Sequence, residues 1–397
     1  MRDATDSFDF DEIIDRTGTH SVKWDGLERI YGLTPADDPL AMWVADMDFR
    51  PPPAVNAALA QAVAHGVHGY FGDDRAYLAA VTGWMARRHG WEVDPAAVAT
   101  THGIVAAFAL CLQAFSAPGD GVILFSPVYH AFHRVLRANG RRIVESPLVQ
   151  EDGRYRMDLA ALAGALTGGE RIVVLCSPHN PGGRVWSREE LRALAEFAAE
   201  RDLVILSDEI HHDLVLPGNR HVPMPLAAPE VLDRTVMLTA TTKTFNIAGA
   251  MTGNVIIPDP ELRRRFAAVH AGAGTSPNRF GMLMATAAYA TGDDWVDALC
   301  AYLAGNARLF DEGVGAIPGL RSMALEGTYL AWVDFAGTGM APAEVTARVE
   351  KGARIATSHG AAFGSGGESF LRFNLATPRA RVGEAVARLQ AAFADLQ

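Results

Sequence analysis

Cysteine is scarce in this chain: Cys111, Cys176 and Cys300 are the only three among 397 residues. An odd number at wide spacing argues against a disulfide framework, and their apolar surroundings predict buried, reduced thiols. Positive charge is the minor sign. The 35 Lys and Arg against 46 Asp and Glu leave a net charge of −11. The excess acid is spread along the chain, which argues against nucleic acid or an anionic membrane surface as a partner. No apolar run is long enough to span a bilayer; the longest, residues 104–115, is interrupted by Gln113. Residues 1–10 are acidic and lack the apolar core of a signal peptide. Together these absences predict a cytoplasmic protein. Internal repeats and low-complexity tracts are missing as well.

What remains is ordinary globular composition, 49% hydrophobic and 20% charged, with length for about two or three domains. Pro51-Pro52-Pro53 breaks the chain before a helical pattern over 54–64. From about residue 95 to 260, apolar strands alternate with amphipathic helices. Gly121-Val122-Ile123-Leu124-Phe125 reads as one strand. Ser187 and Glu190 have capping-box spacing, and Leu191, Leu194, Ala195 and Ala198 continue as a helical stripe. The strands are continuously apolar, so helices should cover both faces of a mainly parallel sheet. That is the α/β class. Further on, residues 327–335 and 369–375 read as strands and 378–396 as a helix, which suits a smaller α+β domain. The expected organisation is an N-terminal segment over 1–50 packing with the small domain, a large domain over 51–290, and a small C-terminal domain over 291–397.

Chemistry gathers at the ends of the apolar runs. Arg171-Ile172-Val173-Val174-Leu175-Cys176 leads into Ser177-Pro178-His179-Asn180-Pro181-Gly182-Gly183. Leu203-Val204-Ile205-Leu206-Ser207 ends in Asp208. The run beginning at Thr235 leads to Thr241-Thr242-Lys243. In open α/β sheets ligands bind beyond the carboxyl ends of the strands. The rule collects Tyr129, Asn180, Asp208 and Lys243 on one edge. An amine, a carboxylate, an amide and an aromatic ring suit a pyridine aldehyde phosphate used as an electron sink. Lys243 would form the imine, and Asp208 would keep the ring nitrogen protonated. Asn180 would donate to the ring phenolate oxygen, and Tyr129 would stack on the ring. Thr101-His102-Gly103-Ile104-Val105 opens an apolar helix pattern whose N-terminus can take a phosphate.

The segments 177–183, Ser207-Asp208-Glu209-Ile210-His211 and 241–249 resemble the fold-type I enzymes that depend on pyridoxal 5'-phosphate (PLP), in the aminotransferase superfamily. The likeness narrows to the MalY/PatB-like cystathionine β-lyase group through Val22-Lys23-Trp24-Asp25, Ala45-Asp46-Met47-Asp48-Phe49, Lys243-Thr244-Phe245-Asn246-Ile247 and Tyr329-Leu330-Ala331-Trp332. The resemblance implies a large PLP domain with a smaller one, as in aspartate aminotransferase. It implies carbon–sulfur β-elimination from an S-substituted L-cysteine, releasing thiol, pyruvate and ammonia. Aminotransferase chemistry, and a regulatory, partner-binding role of the kind some members of the group have, are the alternatives.

By the same resemblance, Lys243, Asp208 and Tyr129 are catalytic. Gly103, Ile104, Val105, Asn180, His211 and Thr242 join them around the cofactor. Tyr70 reaches the phosphate in a neighbouring subunit, so a homodimer with shared sites is implied. Arg372 grips the substrate carboxylate, with Asp46 near the substrate. The chain departs from the superfamily at Ala240, where Ser is frequent, and at Met251, where Arg is frequent. Thr239 or Thr242 would have to supply the phosphate hydroxyl. His102, His130, His179, His212 and His359 lie in or near the motif loops, but their spacing is not that of a metal site.

Overall fold

The computed structural model describes residues 8–396; residues 1–7 and 397, at the two ends of the expected outer segments, lie outside it. Seven strands form the main sheet: β1 (Val98–Thr101), β2 (Gly121–Ser126), β3 (Arg142–Pro147), β4 (Glu170–Cys176), β5 (Val204–Asp208), β6 (Thr235–Thr239) and β7 (Gly253–Ile256). Their spatial order is β1-β7-β6-β5-β4-β2-β3. Neighbours from β6 to β3 run parallel, and β7 alone is reversed, antiparallel to both β6 and β1. Residues 121–126 of β2 and 235–239 of β6 are buried throughout, as strands covered on both faces must be.

Helices supply that cover. α1 (Pro53–His65), α2 (Arg75–His89), α3 (Ile104–Phe115), α4 (His130–Ala138) and α5 (Arg188–Glu200) flank the sheet, with the single turn α6 (Thr241–Thr244) after β6. The capping box at α5 forms as the spacing predicts. Ser187 Oγ accepts from the Glu190 amide at 3.2 Å, and Glu190 Oε2 accepts from the Ser187 amide at 2.8 Å. One core packs Ile104, Phe108 and Leu112 against Leu124, Leu206 and Leu238; another packs Leu191 and Leu194 against Val173 and Ile205.

A second sheet holds β8 (Arg321–Ser322), β9 (Leu330–Asp334), β10 (Ser358–His359) and β11 (Phe370–Asn374), in the order β8-β9-β11-β10 and antiparallel throughout. α7 (Pro260–Gly272) and α8 (Arg279–Thr291) precede it, the long α9 (Asp293–Gly315) leads into it, and α10 (Arg379–Ala392) closes it. The N-terminal segment lies across this sheet. Leu40 and Ala41 pair with Ile355 and Ala356, and the Asn374 amide donates to the Met42 carbonyl at 2.8 Å. Cys111, Cys176 and Cys300 are buried and unpaired. Among the described residues, no helix is long and apolar enough to cross a membrane.

Candidate active site

Parallel register brings the strand ends level. Cys176 of β4 lies opposite Asp208 of β5, and Asp208 opposite Leu238 of β6. The segments that leave these strands therefore emerge side by side. They open onto a cavity of about 540 Å³ whose wall includes Gly103, Ile104, Val105, Tyr129, Asn180, Asp208, His211, Thr242 and Lys243. Nine residues chosen from local pattern and resemblance thus share one space.

Lys243 is buried, and its Nζ donates to the carbonyl of Ala45. Burial pushes its ammonium pKa down to about 8, so about a tenth is neutral amine at pH 7. Asp208 is buried too, with one hydrogen bond to its carboxylate, from the Ile210 amide at 3.2 Å. Burial raises its pKa to about 7. A carboxylate this thinly satisfied is completed by a cationic N–H donor. Burial also keeps His211 neutral, and its Nδ1 has no partner. Tyr129 is kept as the phenol by burial, with its ring edge-on to Phe132 at 5.6 Å between centroids.

Arg372 comes from the second sheet. Its Nη1 donates to Asn180 Oδ1 at 2.9 Å, and its Nη2 to the Trp43 carbonyl at 2.9 Å and Ser358 Oγ at 3.1 Å. The buried Nε–H has no partner. Asn180 is thus held by the guanidinium that stands behind it.

The first turn of α3 forms the cradle end. Gly103 precedes it at φ +85°, a conformation that suits glycine, and the amides that open a helix have no partner within it. Gly253 of β7 lets the strand pass beneath. A Cβ there would stand 2.9 Å from Ile104 Cδ1 and 3.1 Å from the Gly103 carbonyl carbon. Met251 faces the same cavity, so this wall carries a thioether where the resembled superfamily often has a guanidinium.

The unmet donors and acceptors fit PLP. Asp208 can take a pyridinium N–H, His211 and Asn180 can contact ring oxygen, the α3 amides can take a phosphate, and Lys243 can take the aldehyde.

Two expected residues stand elsewhere. Asp46 is not on the cavity wall. Its carboxylate pairs with Arg16 at 3.1 Å and lies 3.9 Å from Lys23 Nζ, and its charge favours the ammonium form of Lys243. Tyr70 is fully exposed, in a separate surface hollow beside Arg279.

Sequence reasoning passed over other contributors. The Ala45 carbonyl accepts Lys243 and also Tyr329 Oη, at 2.9 Å for the latter. A backbone oxygen leaves no mark in a sequence, although Ala45 stands inside a motif. That motif is locked by Lys23 and Asp48, 2.9 Å apart and both buried, and by Asn246, whose Oδ1 accepts the Met47 amide at 2.8 Å. Arg134 also reaches the cavity wall, beside the motif-loop histidine His102, and Trp43 and Ser358 brace Arg372.

Comparison with known proteins agrees with this geometry. The family model for aminotransferase class I and II matches residues 40–389. Cystathionine beta-lyase PatB of Bacillus subtilis is 39% identical over 386 residues, covering 96% of this chain and 99% of that protein. Protein MalY of Escherichia coli is 30% identical over 388 residues, covering 96% and 98%. Among solved structures, cystalysin from Treponema denticola, which contains a pyridoxal 5'-phosphate cofactor, is 33% identical. It superposes with a TM-score of 0.93 over 98% of this chain and 100% of that one. The PLP-bound C-S lyase from Staphylococcus hominis is 29% identical, with a TM-score of 0.90 over 97% and 98%. A buried lysine, a buried carboxylate and a helix N-terminus around one cavity, on a chain matched from end to end, make this protein a member of the aminotransferase class I and II family.

Proposed function

We propose that this chain is a PLP-dependent carbon–sulfur β-lyase that converts an S-substituted L-cysteine and water to a thiol, pyruvate and ammonia. The observation that carries the reading is the single cavity shared by Lys243, Asp208, Asn180, Tyr129, His211 and the first turn of α3. Full-length likeness to PatB and to C-S lyases supports the reaction class.

PLP bound there supplies an electron sink for the pair left at Cα when its proton departs. Arg372 binds the substrate α-carboxylate, through Nε–H and the one Nη1 proton that Asn180, Trp43 and Ser358 leave free. Its burial and three braces fix the orientation of Cα. Lys243 is the base for the Cα proton, because burial has already lowered the cost of its neutral form. The same ammonium is then the acid at hand for the departing sulfur. Asp208 would hold the positive charge of a bound pyridinium, and its own burial would strengthen that pairing. Tyr129 would cover one face of the ring, and His211, kept uncharged by burial, lines the same cavity.

Purified protein saturated with PLP and given S-alkyl cysteine or cystathionine, without a keto acid, should release thiol and pyruvate in equal amounts over many turnovers. One turnover followed by arrest would overturn the reading in favour of a transaminase.

A further inference from the structure

A second polar cluster lies away from the Lys243 cavity. His89 ends α2, while His212 and Asp213 follow β5. His89 Nε2 is 2.8 Å from Asp213 Oδ1, and His212 Nε2 is 3.1 Å from Asp213 Oδ2. One ligand atom from each of these three residues falls within 4.8 Å of the others. The His89 and His212 rings are 4.3 Å apart, and the His221 ring stands 6.0 Å and 6.2 Å from them. All four side chains line one cavity of about 290 Å³.

His221 provides a second, independent observation. Its Nε2 is 2.7 Å from Glu209 Oε2, and its buried Nδ1 has no partner. With Nε2 hydrogen-bonded to a carboxylate, Nδ1 is the ring nitrogen left to meet a cation. That arrangement orients histidines for metal binding. Asp213 has outer support as well: Trp84 Nε1 donates to Oδ1 at 2.9 Å and Thr244 Oγ1 to Oδ2 at 2.7 Å.

We propose that His89, His212, His221 and Asp213 form a site for one late first-row divalent cation of the zinc type. Three imidazoles and one carboxylate are the donor set that such borderline ions prefer. The cation takes the place of the bridges from His89 Nε2 and His212 Nε2 to Asp213, and each imidazole bound through Nε2 carries its one proton on Nδ1. Two arginines also line the cavity; Arg88 is neutralised by Asp297 at 2.6 Å, and Arg220 is the other. The occupied site would tie α2 to the turn after β5 and, through Thr244, to the residue beside Lys243. This inference does not depend on the reaction assigned to the lysine site.

The test uses untagged holoenzyme, stripped with chelator and dialysed, then titrated with zinc chloride in a calorimeter and with cobalt(II) in a spectrophotometer. The expected result is one equivalent of metal per chain, visible cobalt bands of a site with few ligands, and a higher Tm. His212→Ala should weaken binding at least about tenfold and abolish the cobalt bands. His221→Gln should weaken binding by about tenfold and serves if the first variant does not fold. Absence of stoichiometric uptake by the parent protein would overturn the proposal. So would uptake that neither substitution changes.

Discussion

Arg372 Nη1 donates to Asn180 Oδ1 across 2.9 Å, and the bond joins the small antiparallel sheet to the loop that leaves β4. One guanidinium thus serves two tasks. It aims the amide of Asn180 from behind, and it offers a buried, unpartnered Nε–H to a carboxylate.

Replacing Arg372 with Lys keeps the charge but removes the planar fork. kcat/KM for an S-substituted cysteine should fall about 100-fold, on the order of 2.7 kcal/mol, mostly through KM. Steady-state kinetics with circular dichroism as a folding control checks this. An unchanged KM would remove Arg372 from substrate binding.

The buried pair in the cavity gives the cofactor-free chain an unusual pH dependence. Asp208 has a folded pKa of about 7 against an ordinary 3.8, so between those values the folded state holds the extra proton. Stability therefore falls as pH rises through that window. Lys243 has a folded pKa of about 8 against 10.5, so above pH 8 the unfolded state holds the extra proton and stability rises again. Urea denaturation of the apo chain should show a minimum between about pH 7 and 8. Asp208→Asn should remove the falling limb.

The same amine should react as a neutral nucleophile. Apoprotein mixed with PLP and reduced with borohydride should be labelled at Lys243 by peptide mapping. The rate should rise about tenfold per pH unit below 8 and level off above it. Labelling at Lys351, the exposed one of the three lysines, in place of Lys243 would contradict the assignment.

Gly253→Ala places a methyl 2.9 Å from Ile104 Cδ1 and 3.2 Å from the Ile104 amide nitrogen. The first turn of α3 has to shift. PLP should dissociate faster from the variant, with Kd raised about tenfold, of the order of 1.4 kcal/mol. Absorbance of the bound cofactor during dilution reports this. Gly90 lies in open space and is the control site, although its positive φ asks for Asn rather than Ala there.

Lys23 and Asp48 are both buried, at 2.9 Å. Lys23→Met leaves Asp48 with Arg16, the Trp24 indole and the more distant Arg381 at 4.0 Å. Removal of one partner from a buried pair should cost about 3 kcal/mol in a urea melt. Activity should fall too, because the motif that carries Asp48 also presents the Ala45 carbonyl to Lys243.

Local physics made much of this legible. Continuous apolar runs marked β4, β5 and β6, and their ends delivered Asn180, Asp208 and Lys243 to one wall. Ser187 and Glu190 announced α5 because a capping box depends on residues three apart. The reversed direction of β7 carried no such mark, since an apolar run reads the same in either orientation. Asp46 looked like a site residue from its motif, and only the positions of Arg16 and Lys23 show where its carboxylate goes.

The order of residues along the chain therefore determined which chemical groups end which strands, because burial on both faces and helix capping act over a few neighbours. Tertiary structure alone decided which distant groups meet. Ala45 and Lys243 are 198 residues apart, and His89 and Asp213 are 124 apart. Such encounters depend on how the sheets and the N-terminal segment pack against one another. No pattern within a single element encodes that packing.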